Sequence, residues 1–240
     1  MAPSKLPTLE EFYAAAERVG GQITKTPMLE SHWLTELTGS PVFFKCENLQ
    51  RTGAYKVRGA YNLMSQLSSE EKKRGVVAAS AGNHAQGVAL AAKLLGIKAT
   101  IFMPVGASLP KYQATVDYGA NVVLTGAIFD ETLAAAQDFT EQTGAVFIPP
   151  FDHIDIVRGQ GTVGLEIMEQ MPDVQRAEHA PLRRGHAVRQ DVEHDRLIRG
   201  RRLPQRASPR RDRHAVEMRQ EIQIRPGDDA NGPAAVVWRG

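Results

Sequence analysis

Cysteine is almost absent: Cys46 is the only one in 240 residues. That excludes a disulfide framework and any zinc site built on a Cys-x-x-Cys pair. Long apolar runs are absent too. None approaches the ~18 residues a membrane-spanning helix needs, and Met1 to Leu9 lack the apolar core of a signal peptide. Charge of one sign is not in excess, since the formal net charge is +2. The bulk balance therefore announces neither a nucleic-acid nor a membrane partner. His32, His84 and His153 show no metal-ligand spacing, so no metal is expected. These absences predict a soluble protein of a reducing compartment, the cytoplasm. What is present is a 42% apolar chain, enough for one large domain or two small ones.

The average hides a break. Residues 1–174 carry 14 Lys+Arg and 18 Asp+Glu, whereas residues 175–240 carry 15 and 9. All nine lysines precede Val174, and every basic residue after it is Arg. Val, Ile, Leu and Phe make up 11 of the last 66 residues, below the ~20% at which a charged segment reads as disordered. We therefore expect 1–174 to be one folded portion and 175–240 an atypical Arg-rich tail, coil with stray helix.

The first portion alternates. Thr8 to Val19 reads as a helix with Thr8 and Glu11 in capping-box spacing. Pro41–Cys46 reads as a strand, Arg58–Leu67 as a helix, and Ser68-x-x-Glu71 as a further cap. Strands at 75–80, 98–103, 121–125 and 145–148 then alternate with helices at 83–95, 109–118, 130–143 and 156–171. Short strands separated by helices mean βαβ units and a parallel α/β sheet covered on both faces. In such sheets ligands bind beyond the carboxyl ends of the strands.

Two strand-to-helix junctions carry chemistry. Ser80-Ala81-Gly82-Asn83-His84-Ala85-Gln86-Gly87 joins a strand to a helix N-terminus. Free N–H groups and the positive dipole end there favour a carboxylate or phosphate. The same turn also reads as an ordinary helix start capped by Asn83 or Ser80. Asn48 to Ala60 likewise follows a strand and opens a helix. Lys56 could be a plain surface cation, but it sits beside Tyr55 after a Gly-bearing turn. A lysine desolvated there can lose its proton and form a Schiff base with an aldehyde. Gly159-Gln160-Gly161-Thr162-Val163-Gly164 matches GxGxxG, yet no clear strand precedes it and no acidic residue on a second strand follows. It is not a dinucleotide loop.

Taken together, Asn48–Ala60 resembles the cofactor-lysine motif of the serine/threonine dehydratases. These are pyridoxal-phosphate enzymes of the tryptophan-synthase-β-like fold, also called fold type II. Ser80–Gly87 resembles that family's substrate and cofactor loop, and Gly159-Gln160-Gly161-Thr162 matches a further segment. The resemblance runs from about Leu9 to Val174. Val57 follows Lys56 where the cysteine-synthase branch usually has Asp, and His84 stands where that branch usually has Thr. Ala81 occupies the position at which serine racemases of this fold carry a serine as second acid/base. The pattern is most similar to the threonine dehydratase (threonine ammonia-lyase) branch.

The resemblance implies roles. Lys56 would hold pyridoxal 5′-phosphate covalently and, once released, take the substrate Cα proton. Asn83 would hydrogen-bond the cofactor's phenolic oxygen, and Tyr55 would pack on the cofactor in place of the usual Phe. Ser80, Ala81, Gly82, Asn83 and His84 would receive the substrate carboxylate. L-Threonine, or L-serine, would yield 2-oxobutanoate, or pyruvate, with ammonia, a reaction of amino-acid metabolism and isoleucine biosynthesis. The family implies a homo-oligomer acting on a small amino acid, with no membrane and no nucleic-acid partner.

One family feature has no counterpart. The glycine-rich phosphate cup is expected shortly after Val174, but residues 175–186 read QRAEHAPLRRGH. Arg without Lys is what shifted reading of GC-rich coding DNA produces. The tail therefore reads as truncation of the family pattern by an out-of-frame segment, and activity is expected to be impaired. The rival reading is a non-enzymatic α/β binding protein that uses its basic tail. Interspersed acids and a lack of stacking aromatics weigh against it.

Overall fold

A computed structural model describes residues 6–174, 176–179 and 234–237. In chain order the elements are α1 (Leu9–Val19), β1 (Met28–Glu30), α2 (His32–Thr38), β2 (Val42–Lys45), a 3₁₀ turn (Glu47–Leu49), α3 (Lys56–Ser65), α4 (Ser69–Arg74), β3 (Val76–Ala79), α5 (Asn83–Leu95), β4 (Ala99–Met103), α6 (Leu109–Asp117), β5 (Asn121–Leu124), α7 (Phe129–Thr143), β6 (Val146–Phe147), α8 (Ile154–Gln170), β7 (Arg176–His179) and β8 (Ala234–Val237). Thr8 and Ser68 each close a reciprocal capping box, with Glu11 and Glu71. Each box satisfies two otherwise orphaned N–H groups, so α1 and α4 begin where the sequence places them. No helix among the described residues is long and apolar enough to cross a membrane.

The chain divides into two compact units. One is drawn from residues up to Lys25 and Leu49–Leu165. Its sheet has the order β5-β4-β3-β6, and every pairing is parallel. The four residues of β3, Val76 to Ala79, are all buried. Their side chains alternate between two cores, as the period of a strand dictates. Val76 and Ala78 join Ile101, Met103 and the apolar faces of α3 and α5, among them Met64, Val88 and Ala92. Val77 and Ala79 join Phe102, Ala136 and Ala145, with Phe139 of α7 against them. The expected parallel sheet covered on both faces is what forms.

The other unit is drawn from Thr26–Asn48 and the described residues from Glu166 onward. Its sheet runs β1-β2-β8-β7. β2, β8 and β7 pair in parallel, and β1 pairs antiparallel with β2. Leu34 and Val42 form its small core. Lys45 is fully buried. Its Nζ lies 2.6 Å from a Glu166 carboxylate oxygen and donates to the Thr26 carbonyl at 2.6 Å and to Gln170 Oε1 at 2.8 Å. Charge pairing plus complete hydrogen bonding is the condition under which a buried ammonium is tolerated.

Four elements differ from the sequence reading. β1 is only three residues long and shows no alternation, so pairing with β2 creates it. α2 has a Ser31 cap and a left-handed Gly39 stop, but its seven residues are too few for a periodic pattern to stand out. In the tail, 176–179 and 234–237 are strands rather than the expected coil. The rest of that segment lies outside the described residues.

Candidate active site

The site builds on the carboxyl ends of β3 and β6, which are neighbours in the first unit's sheet. Beyond β3 the chain turns through Ser80 to Gly82 into α5. Beyond β6 it runs through Ile148, Pro149 and Pro150 toward α8. α3 begins at Lys56. Its start is held by Arg58, which is fully buried and donates through Nη1 to Thr162 Oγ1 of α8 at 3.1 Å.

The GxGxxG segment finds its physical role here. It lies inside α8. A Cβ on Gly159 would come within 2.6 Å of the Arg58 carbonyl oxygen and of Gly59 Cα. Its missing side chain lets α8 approach the first turns of α3 closely. The segment is a helix-packing seam, consistent with its rejection as a dinucleotide loop.

Lys56 is half-buried. Its Nζ donates to the Pro150 carbonyl oxygen at 2.9 Å and stands 5.3 Å from the centroid of the Tyr55 ring, within cation–π range. Tyr55 is buried. α5 reaches the same place. A Cβ on Gly87 would lie 3.0 Å from both the Lys56 carbonyl carbon and the Val57 nitrogen. The two helices touch backbone to backbone, which brings the 80–84 turn to the side of α3 where Lys56 begins.

His84 is buried, and its Nε2 lies 2.9 Å from the Ile148 carbonyl oxygen. A carbonyl can only accept, so Nε2 carries the proton and Nδ1 is a bare acceptor. Nδ1 is buried without a hydrogen-bond partner. Burial pushes the His84 pKa down to about 4; the bond to Ile148 opposes this and the charge of Lys56 adds to it. At neutral pH His84 is uncharged. Lys56 and His84 thus hold carbonyls two residues apart on one segment, Ile148–Pro150.

The turn itself is tied internally. The Gly82 N–H donates to Ser80 Oγ at 3.2 Å, and the Ser80 N–H donates to the Phe102 carbonyl at 3.0 Å. The α5 N-cap is Gly82, not Asn83 or Ser80, the two candidates from sequence. Gly82 offers no side-chain cap, so the first N–H groups of α5 are left for other acceptors. Ser80, Gly82 and Asn83 are partly exposed, and Ala81 is exposed. Asn83 Oδ1 accepts from Lys111 Nζ at 3.2 Å.

Lys111, in the first turn of α6, is not among the sequence candidates. Neither are the Ile148 and Pro150 carbonyls. Lys111 follows the carboxyl end of β4, and that position is the available signal. Backbone carbonyls leave no mark in a sequence.

The side chains present fit the reactive end of an aldehyde cofactor such as pyridoxal 5′-phosphate. They comprise a half-buried primary amine beside an aromatic ring, an amide at a helix N-terminus, and a buried imidazole acceptor that lacks a partner. Residues 180–186, in the stretch where a phosphate cup is expected, lie outside the described residues. Among those described there is no cluster of metal-ligating side chains.

Comparison with known proteins gives a consistent result. A family model described as pyridoxal-phosphate dependent enzyme matches residues 19–183. The chain is 54% identical over 168 residues to an L-threonine ammonia-lyase of Thermotoga maritima, covering 70% of this chain and 42% of that one. It is 48% identical over 166 residues to the catabolic L-threonine dehydratase TdcB of Escherichia coli, covering 69% and 50%. Among solved structures, maize serine racemase superposes with a TM-score of 0.71 at 36% identity, covering 73% of this chain and 53% of that one. The processed form of threonine deaminase isoform 2 from Solanum lycopersicum superposes with a TM-score of 0.66 at 37% identity, covering 74% and 53%. The chain spans half or less of the length of the two curated relatives from Thermotoga and Escherichia.

Proposed function

Because the chain belongs to the pyridoxal-phosphate dependent enzyme family, we propose that it derives from a threonine ammonia-lyase, converting L-threonine, or L-serine, to 2-oxobutanoate, or pyruvate, and ammonia. One observation carries the reading. The amine of Lys56 and the 80–84 turn open two helices that meet at Gly87, where a side chain would collide with the Lys56 backbone.

When bound, the cofactor supplies an electron sink for the charge left at substrate Cα. Lys56 Nζ would be the residue that anchors it covalently, and its free amine would be the base that accepts the Cα proton. Asn83 Nδ2 would donate to the cofactor's phenolic oxygen. Tyr55 covers one side of Lys56. The N–H groups at the start of α5, with Ser80 to His84 around them, receive the substrate carboxylate. Ala81 holds no proton. Reprotonation from the opposite face, which a racemase requires, therefore has no donor at that position. Loss of the β-hydroxyl is favoured over inversion, although serine racemases are among the structural neighbours.

The same proposal takes residues 1–174 as the N-terminal portion of the catalytic domain. It takes 175–240 as an out-of-frame segment lacking the phosphate cup, and the intact enzyme as a cytoplasmic homo-oligomer with no membrane or nucleic-acid partner. Sequencing the parent locus tests the second point. An intact frame with no glycine-loop coding sequence in either other frame would refute it.

The function is tested on the purified full chain with added pyridoxal 5′-phosphate. A saturable visible absorbance band and a slow release of 2-oxo acid from L-threonine are expected, and Lys56→Ala abolishes both. A band that survives Lys56→Ala would refute the assignment. Turnover at an ordinary enzyme rate would refute the impairment.

A further inference from the structure

Lys111 is a cation whose side chain is spent on the site. Its Nζ, Cδ and Cε lie 3.1, 3.3 and 3.7 Å from where a Cβ on Gly82 would stand, so the aliphatic stem crosses the turn directly over the N-cap of α5. A side chain at position 82 would press on that path, and the stem would have to give way by a few tenths of an ångström. At the end of the path Nζ donates to Asn83 Oδ1 at 3.2 Å. The Lys111 main chain is fixed as well. The Lys111 N–H donates to the Ser108 carbonyl at 3.0 Å, and the Lys111 carbonyl accepts from Thr115 Oγ1 at 2.8 Å.

A carboxamide has two nearly isosteric ends, one that accepts and one that donates, and packing alone distinguishes them poorly. An ammonium has donors and no acceptor. Set against one end of Asn83, it admits Oδ1 and repels the NH₂ group. The NH₂ end must then face the other way. A charge-assisted bond makes that preference stronger than a neutral partner would. We propose that Lys111 is a positioning residue: it fixes the Asn83 carboxamide with Nδ2 as the outward donor, so that the turn presents a hydrogen-bond donor, not an acceptor, to an anionic oxygen of the cofactor. The inference rests on the proposed function for the identity of that oxygen. The orientation of Asn83 does not depend on it.

Two measurements keep the two apart. The first uses the cofactor-free full chain labelled with ¹⁵N. The Asn83 side-chain amide signal, identified by its loss in Asn83→Asp, shifts in Lys111→Met and stays near its original position in Lys111→Arg, which restores a cationic donor. A signal unmoved by Lys111→Met overturns the proposal. The second is a double-mutant cycle on affinity for pyridoxal 5′-phosphate, read from the visible band. Lys111→Met weakens binding by about 2- to 10-fold, the range of one hydrogen bond, and Lys111→Arg recovers it. In an Asn83→Ala background the same substitution has little further effect. Equal losses in both backgrounds overturn the proposal. If the unmutated chain shows no Lys56-dependent band, the functional reading fails, and the amide signal alone decides the role of Lys111.

Discussion

Acidifying His84 gives a quantitative test of how the site is built. Its imidazole is buried and neutral, with the Nε2 proton committed to Ile148 and Nδ1 without a partner. A second proton would land on Nδ1, a buried donor with nothing to receive it and with the Lys56 ammonium acting on it. Burial chiefly, and then Lys56, hold the folded pKa near 4 against an ordinary 6.5. Below pH 6.5 the unfolded chain binds a proton that the folded chain refuses, so the unfolded state gains. Stability is complete above the unfolded pKa and is lost as pH falls toward the folded one. The full difference amounts to about 3 kcal/mol, and about 2 kcal/mol of it is lost between roughly pH 7.5 and pH 5. Urea unfolding of the full chain at these two pH values measures it. His84→Gln keeps a donor at the reach of Nε2 and removes the titration, and its stability is expected to change by well under half as much over the interval. If the variant retains the full pH dependence, His84 is not the group responsible and the neutral buried imidazole is wrong.

Gly87→Ala puts a Cβ 3.0 Å from backbone atoms that cannot rotate away. It is expected to cost about 1–3 kcal/mol in urea unfolding, typical of overpacking, and to weaken cofactor binding together with stability. Lys45→Met removes the ammonium that lies 2.6 Å from the Glu166 carboxylate, at a cost of about 3 kcal/mol. That is the low end for buried pairs because the Glu166 side chain keeps 15% exposure. Adding Glu166→Leu recovers most of the loss by the same assay. Ser68→Ala opens one capping box and lowers stability by about 1 kcal/mol, seen as a small drop in thermal midpoint. The loss is confined to the short exposed helix α4.

Much of the first unit is legible from sequence because its signals are local. Caps at Thr8 and Ser68, and stops at Gly96 and Gly144, act within one turn of their own helices. Boundaries there come out within a residue or two. The four-residue strand β3 reads correctly because it is apolar throughout, as burial on both faces requires. What is not legible is made by distance along the chain. β1 exists through its partner β2. Lys111 meets Asn83 across 28 positions, and Lys56 meets Pro150 across 94. Gly159 illustrates the converse. The glycine pattern is plain in the sequence, yet its purpose, the passage of one helix against another, is visible only once both helices are in place.

The acceptor that holds Lys56 belongs to the second of two consecutive prolines. Their rings fix φ at both positions, so little backbone freedom remains to be lost when that carbonyl takes up its station. An amine that leaves it to do other work has a stationary address to come back to, and the cost of keeping that address is met by the fold in advance rather than at each departure and return.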